Sequence, residues 1–213
     1  MSIRSALLSI RSAAKNAAGF TMIELLIVIA ILGILAVAVL SALNPIEQIN
    51  RGRDTGYRSD AEQLLNAFER YQAFQGAYPW QTGPGDTSNI GLSWQVFDDS
   101  VADTATPPCP VYEKLSEATT ANCIGTDEVK VSFFNRVFAA SRNPLYVYND
   151  GTQGASTYVC FAPSSQAFIT EVQQRLDPDL NGVLDNFPAD YPDTWAIGNT
   201  TECGVEGNCV CIP

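Results

Sequence analysis

The sequence predicts an α+β fold: a long N-terminal helix whose second half packs on a small antiparallel β-sheet. Three observations predict it. An unbroken apolar run fills residues 20–43. Apolar residues then recur at three- and four-residue steps as far as Phe74. Beyond them, short β-branched and aromatic runs alternate with Gly, Asn and Pro turns.

Residues 1–19 form a basic leader. They contain Arg4, Arg11 and Lys15 and no acid, so the remainder carries −14 against −11 for the whole chain. Residues 20–43, FTMIELLIVIAILGILAVAVLSAL, hold Glu24 as their only charge. Twenty-four helical residues rise about 36 Å, enough to cross a hydrocarbon core of about 30 Å with some tilt. A basic segment before an apolar span predicts a cytoplasmic N-terminus and an exported remainder. A cleaved secretory signal is the alternative, with Ala36-Val37-Ala38 as its cleavage site. Such signals have an apolar region of about 7–15 residues, shorter than this run and without an acid.

Glu24 is the informative residue. A carboxylate in a membrane helix costs about 2–3 kcal/mol to insert, and such groups are usually functional. Thr21-x-x-Glu24 has capping-box spacing, and an acid in the first turn complements the helix dipole. Neither explains the abrupt start of the apolar run after Gly19. A cut between Gly19 and Phe20 would leave a free α-amino group on Phe20, about 6 Å along the axis from Glu24. The Glu24 of one chain would then neutralise the amine of a neighbouring chain, each contributing half of a buried ion pair.

Ala18-Gly19-Phe20-Thr21-Met22-Ile23-Glu24-Leu25-Leu26 resembles the class III signal of type IV prepilins and type II secretion pseudopilins. The resemblance implies that a membrane aspartyl prepilin peptidase cuts after Gly19 and methylates Phe20. It implies that Glu24 is needed for assembly into a helical homo-oligomeric filament, built by an inner-membrane platform and a cytoplasmic motor. It also implies a stay as a single-pass protein of the inner membrane, followed by a place in a cell-surface or periplasmic fibre.

Residues 44–76 continue the helix. Asn44-Pro45 predicts a kink or local unwinding near Ala42–Pro45, with Gly52 and Gly56 as further soft points. Tyr57, Ala61, Leu64, Leu65, Phe68, Tyr71 and Phe74 form one stripe, opposite Arg58, Glu62, Asn66 and Arg70. Gln75-Gly76-Ala77-Tyr78-Pro79 stops it. A Gly-x-Tyr-Pro exit resembles the major pseudopilins and their close relatives.

Residues 77–213 form the exported domain. Thr82–Ser93 reads as loop, Val129–Phe134, Leu145–Tyr148 and Thr157–Phe161 as strands, and Gln166–Leu176 as either helix or strand. Asn149-Asp150-Gly151 supplies the turn of a hairpin with a long loop. All six cysteines, Cys109, Cys123, Cys160, Cys203, Cys209 and Cys211, lie here, and an even count outside the cytoplasm predicts up to three disulfides. The pairing is open, because six cysteines allow about 15 connectivities. Cys109–Cys123 would close a short loop, and the C-terminal cysteines would anchor a tail.

Asp177-Pro-Asp179-Leu-Asn181-Gly182-Val-Leu-Asp185 matches the D-x-[DN]-x-[DN]-G calcium-loop pattern, in which alternating oxygens converge on one cation. Asp177, Asp179, Asn181, Asp185 and the Val183 carbonyl are the candidate ligands of a structural Ca2+. Pro188 stands where an EF-hand places its bidentate Glu, and Asp-Pro and Asn-Gly are also ordinary turn formers. Calcium in a C-terminal loop is a property that the resemblance to major pseudopilins implies.

The composition removes several other functions. With no histidine among 213 residues, a Ser-His-Asp triad, a Cys-His dyad and His-ligated zinc or haem iron are excluded. An acidic chain repels phosphate backbones and is not built for nucleic acid. Two classes of function remain. One is a structural filament subunit, with a minor tip pilin of adhesive duty as its narrower form. The other is a membrane-tethered or secreted enzyme using acids such as Asp98, Asp99 or Asp103, which have no recognisable partner motif. The sequence favours the first class, so no catalytic residue is assigned.

Overall fold

The computed structural model describes residues 19–87, 90–117, 120, 123–139, 143–152, 154–176 and 209–213. The chain divides after Pro45 into two compact units. The first holds helix α1, Met22–Ala42. Nothing in it interrupts a helix: aliphatic residues and alanine dominate, and its single glycine is Gly33. Its Met22–Ser41 stretch is long and apolar enough to span a membrane. No side chain of that stretch is buried in the chain's own fold, exposure of its large apolar residues running from 49% at Val28 to 91% at Met22. The helix ends at an extended Leu43, whose N–H still reaches the Val39 carbonyl at 3.2 Å.

The second unit begins at Ile46, one residue into α2, Pro45–Gln75. Pro45 opens this helix, where its missing N–H costs nothing. The helix passes unbroken through Gly52 and Gly56. Its buried side chains are Asp54, Ala61, Leu64, Leu65, Ala67 and Phe68. Tyr57 and Tyr71 pack at the margin, but Phe74 is 78% exposed and falls outside the stripe predicted to include it. The domain closes below that point around Trp80, whose ring meets Phe68 edge-on at 5.6 Å.

A four-stranded antiparallel sheet in the order β1–β2–β3–β4 packs with α2, making the fold α+β and pilin-like. The strands are β1 Leu92–Val96, β2 Tyr146–Asn149, β3 Thr157–Phe161 and β4 Val210–Ile212. In the central ladder Val147 faces Val159, and one face of β3 adds Phe161 to the core beside Tyr57. The β2–β3 hairpin turns at Gly151, with φ +79°, where a Cβ would stand 2.7 Å from the Gly91 nitrogen. Only glycine fits so close to another backbone.

Three helices complete the layer: α3 Val111–Leu115, α4 Val131–Ala139 and α5 Gln166–Leu176. The segment read as a strand at Val129–Phe134 belongs instead to the entry and first half of α4. The six-residue window hid the period, because Val129, Phe133 and Val137 recur every four residues and are all buried. The segment read as loop to Ser93 already contains the start of β1. Gln166–Leu176, ambiguous in sequence, is helical.

Candidate assembly site

The start of α1 is a local device built from adjacent residues. Thr21 has extended backbone, and its Oγ1 accepts the Glu24 N–H at 3.2 Å. The Glu24 Oε2 accepts both the Thr21 N–H and the Thr21 hydroxyl at 2.9 Å. This is a complete capping box, satisfying backbone donors that a helix start otherwise leaves orphaned. It uses nothing before Thr21, so a cut after Gly19 leaves it intact. Both hydrogen bonds fall on one carboxylate oxygen, and the other accepts none among the described residues. Gly19 and Phe20 are exposed immediately before the box, Phe20 at 87%. The structure thus places Gly19, Phe20 and Glu24 at one end of α1.

Among the described residues, three separate devices fasten the second unit. Cys160–Cys211 ties β3 to β4 at directly opposed positions, with Cα atoms 4.1 Å apart, and Cys109–Cys123 closes a loop with Cα atoms 5.5 Å apart. Cys209 is also disulfide-bonded. Cys203 lies outside the described residues, as do Asp177, Asp179, Asn181, Val183 and Asp185 of the candidate calcium loop.

The second device is a buried ion pair, which sequence reasoning missed. Lys114 Nζ lies 2.7 Å from Asp103 Oδ2 and donates to the Gln81 carbonyl at 2.7 Å. Asp103 Oδ1 accepts the N–H groups of Cys109 at 2.8 Å and Ala105 at 3.1 Å. Burial pushes the Asp103 carboxyl up, but the Cys109 N–H and the Lys114 ammonium outweigh it and hold the group below its ordinary value. The same negative charge adds to burial in pushing the Tyr71 phenol up. Asp103 is therefore a structural anion, while Asp98 closes a local turn onto the Ser100 N–H at 2.9 Å.

The third device joins α2 to α5. Ser165 caps α5, its hydroxyl accepting the Phe168 N–H at 3.4 Å. The remaining N-terminal donors go to two α2 carboxylates. Asp54 takes Ser164 and Ser165, and Glu47 takes Gln166 and Ala167, each at 3.2 Å. No spacing rule reveals this set, because its partners are more than 100 residues apart.

A long apolar helix with a charged cap, followed by an α+β unit closed by disulfides, defines a pilin-like protein. Residues 14–40 match the prokaryotic N-terminal methylation motif, the processing signal of type IV prepilins and pseudopilins. That match points to a structural role within this group and, in general terms, to prepilin-peptidase processing and filament assembly. No curated protein and no solved structure matches the chain.

Proposed function

We propose that this chain is the structural subunit of a type IV pilus or type II secretion pseudopilus. The methylation motif on a helix whose apolar side chains are all uncovered carries the reading. Prepilin peptidase cuts after Gly19 and methylates Phe20. The leader's three cations keep the N-terminus cytoplasmic and the acidic domain is exported. Before assembly α1 lies in the inner membrane, where lipid satisfies its apolar surface as well as another helix would. Hydrophobic force therefore contributes little to helix association, and close side-chain fit decides it, eased by Gly33 and the alanines at 30, 36 and 38.

Electrostatics then selects the register. The new α-amino group of Phe20 and the Glu24 carboxylate are both costly in lipid, and each is relieved by the other only across two chains. The Glu24 oxygen left unused by the capping box is the acceptor for that amine. An assembly platform and motor supply the work of extracting subunits into the fibre. The loop bearing Asp177, Asp179, Asn181, Val183 and Asp185 holds a structural Ca2+ by its all-oxygen, anionic set.

Fibres sheared from cells that express the chain with its assembly machinery test this reading. The chain is expected as their component, starting at methylated Phe20. Fibres without it, or no fibres from a fully equipped cell, would contradict it.

A further inference from the structure

Helix α2 carries charge that its own domain does not use. Arg58 pairs with Glu171 and Arg70 with Glu128, each at 2.7 Å, and Asp60 pairs with Arg136. Glu47 and Asp54 are committed to the backbone of α5. Four charged residues of α2 remain: Arg51, Arg53, Glu62 and Glu69. All four are exposed, and none has an ion pair among the described residues.

Three of the four share one stripe. Glu62 and Glu69 lie 11 and 18 residues after Arg51, which at 3.6 residues per turn is about three and about five whole turns. All three side chains therefore leave the helix in nearly the same direction. Arg53 leaves about 200° away and is not part of the stripe. The helix separates Arg51 from Glu62 by about 16 Å and from Glu69 by about 27 Å. At physiological salt these distances exceed the screening length of about 8 Å, so the charges do nothing for one another within a chain.

We propose that this stripe is a contact between copies, in which Arg51 of one subunit pairs with Glu62 or Glu69 of another. This rests on the filament reading above. Each copy carries both halves of the contact on one face, and a cation left over on a strongly acidic chain finds its complement most readily in a second copy. Subunits inserted in one membrane in the same sense are parallel. Parallel copies bring Arg51 to an acid of the stripe only by shifting along the axis.

The test uses the full-length chain expressed with its export and assembly machinery, scoring sheared fibre yield and N-terminal processing together. Arg51→Glu is expected to lower fibre yield about tenfold while processing and membrane retention stay at the level of the unaltered chain. Adding Glu62→Arg or Glu69→Arg to Arg51→Glu restores the yield, whereas adding Asp99→Arg off the stripe does not. Unchanged fibres from Arg51→Glu would overturn the pairing, as would rescue by neither acid reversal or equal rescue by Asp99→Arg. Loss of membrane retention in Arg51→Glu would assign Arg51 to lipid headgroups and overturn it too. Absence of fibres from the unaltered chain strikes the filament reading itself, before any variant is compared.

Discussion

Asp54 and Ser165 are 111 residues apart in sequence, yet the Asp54 Oδ2 accepts the Ser165 backbone N–H at 2.7 Å in a fully buried position. The same carboxylate takes the Ser164 N–H through both oxygens at 3.0 Å. One acid on α2 thus supplies the partners that α5 lacks at its start. Replacing it strands the buried Ser165 N–H, frees the more exposed Ser164 N–H and removes a negative charge from a helix N-terminus. Asp54→Ala is expected to cost about 3 kcal/mol, a fall of about 6–12 °C in the melting temperature of the detergent-solubilised chain. A change within about 1 °C would show that the contact contributes nothing.

The Asp103–Lys114 pair makes stability depend on acid. The folded carboxyl has a depressed pKa, so it favours the folded state when ionised. Its contribution is full above the unfolded value, about 4, and is lost as pH falls through the folded value. Denaturant unfolding between pH 2 and pH 6 checks this sign: Asp103→Asn should be less stable at the top of the range and converge on the unaltered chain at the bottom. Lys114→Met should cost about 3–5 kcal/mol at neutral pH, because it leaves a buried carboxylate without its cation. Parallel acid limbs for Asp103→Asn and the unaltered chain would remove this account.

Processing and assembly should separate by mutation. Glu24→Val is expected to be inserted and cut normally yet to fail in filament incorporation, since it removes the carboxylate proposed to pair with a neighbouring chain's Phe20 amine, along with the Glu24 half of the capping box. Gly19→Arg is expected to accumulate as uncut precursor in the membrane. Immunoblotting of precursor and mature forms, with fibre shearing, distinguishes the two. Normal fibres from Glu24→Val would end the ion-pair argument.

The proposed calcium loop has a simple thermal readout. Calcium should raise the melting temperature of the unaltered chain, and Asp179→Ala should abolish the rise, because one of the anionic ligands is gone. A melting temperature indifferent to calcium in the unaltered chain would dispose of the site.

The parts of this fold legible in the sequence are those set by local pattern. The apolar run of α1, the stripe from Tyr57 to Phe68 on α2 and the two strands on either side of Gly151 each announce themselves within about ten residues. The capping box is legible for the same reason, since Thr21 and Glu24 are three residues apart. Short windows misled where the period needed more length, as at Val129–Phe134, where the helix α4 became visible only with Val137 included. Strand β4 is three residues long, too short for a pattern to announce it, and is held by β3 and the Cys160–Cys211 disulfide. The anchors of the second unit are illegible because their partners are distant in sequence: Asp54 with Ser165, Lys114 with the Gln81 carbonyl. A buried charge is invisible until the fold shows what surrounds it.

A filament subunit of this kind begins, once mature, at Phe20 and lives in a fibre. Mass spectrometry of the N-terminal peptide, taken from chains recovered in sheared fibres, tests it most directly. The expected peptide starts at N-methylated Phe20 and retains Glu24. A soluble exported chain starting near Val39, absent from any fibre, would contradict the account at its root.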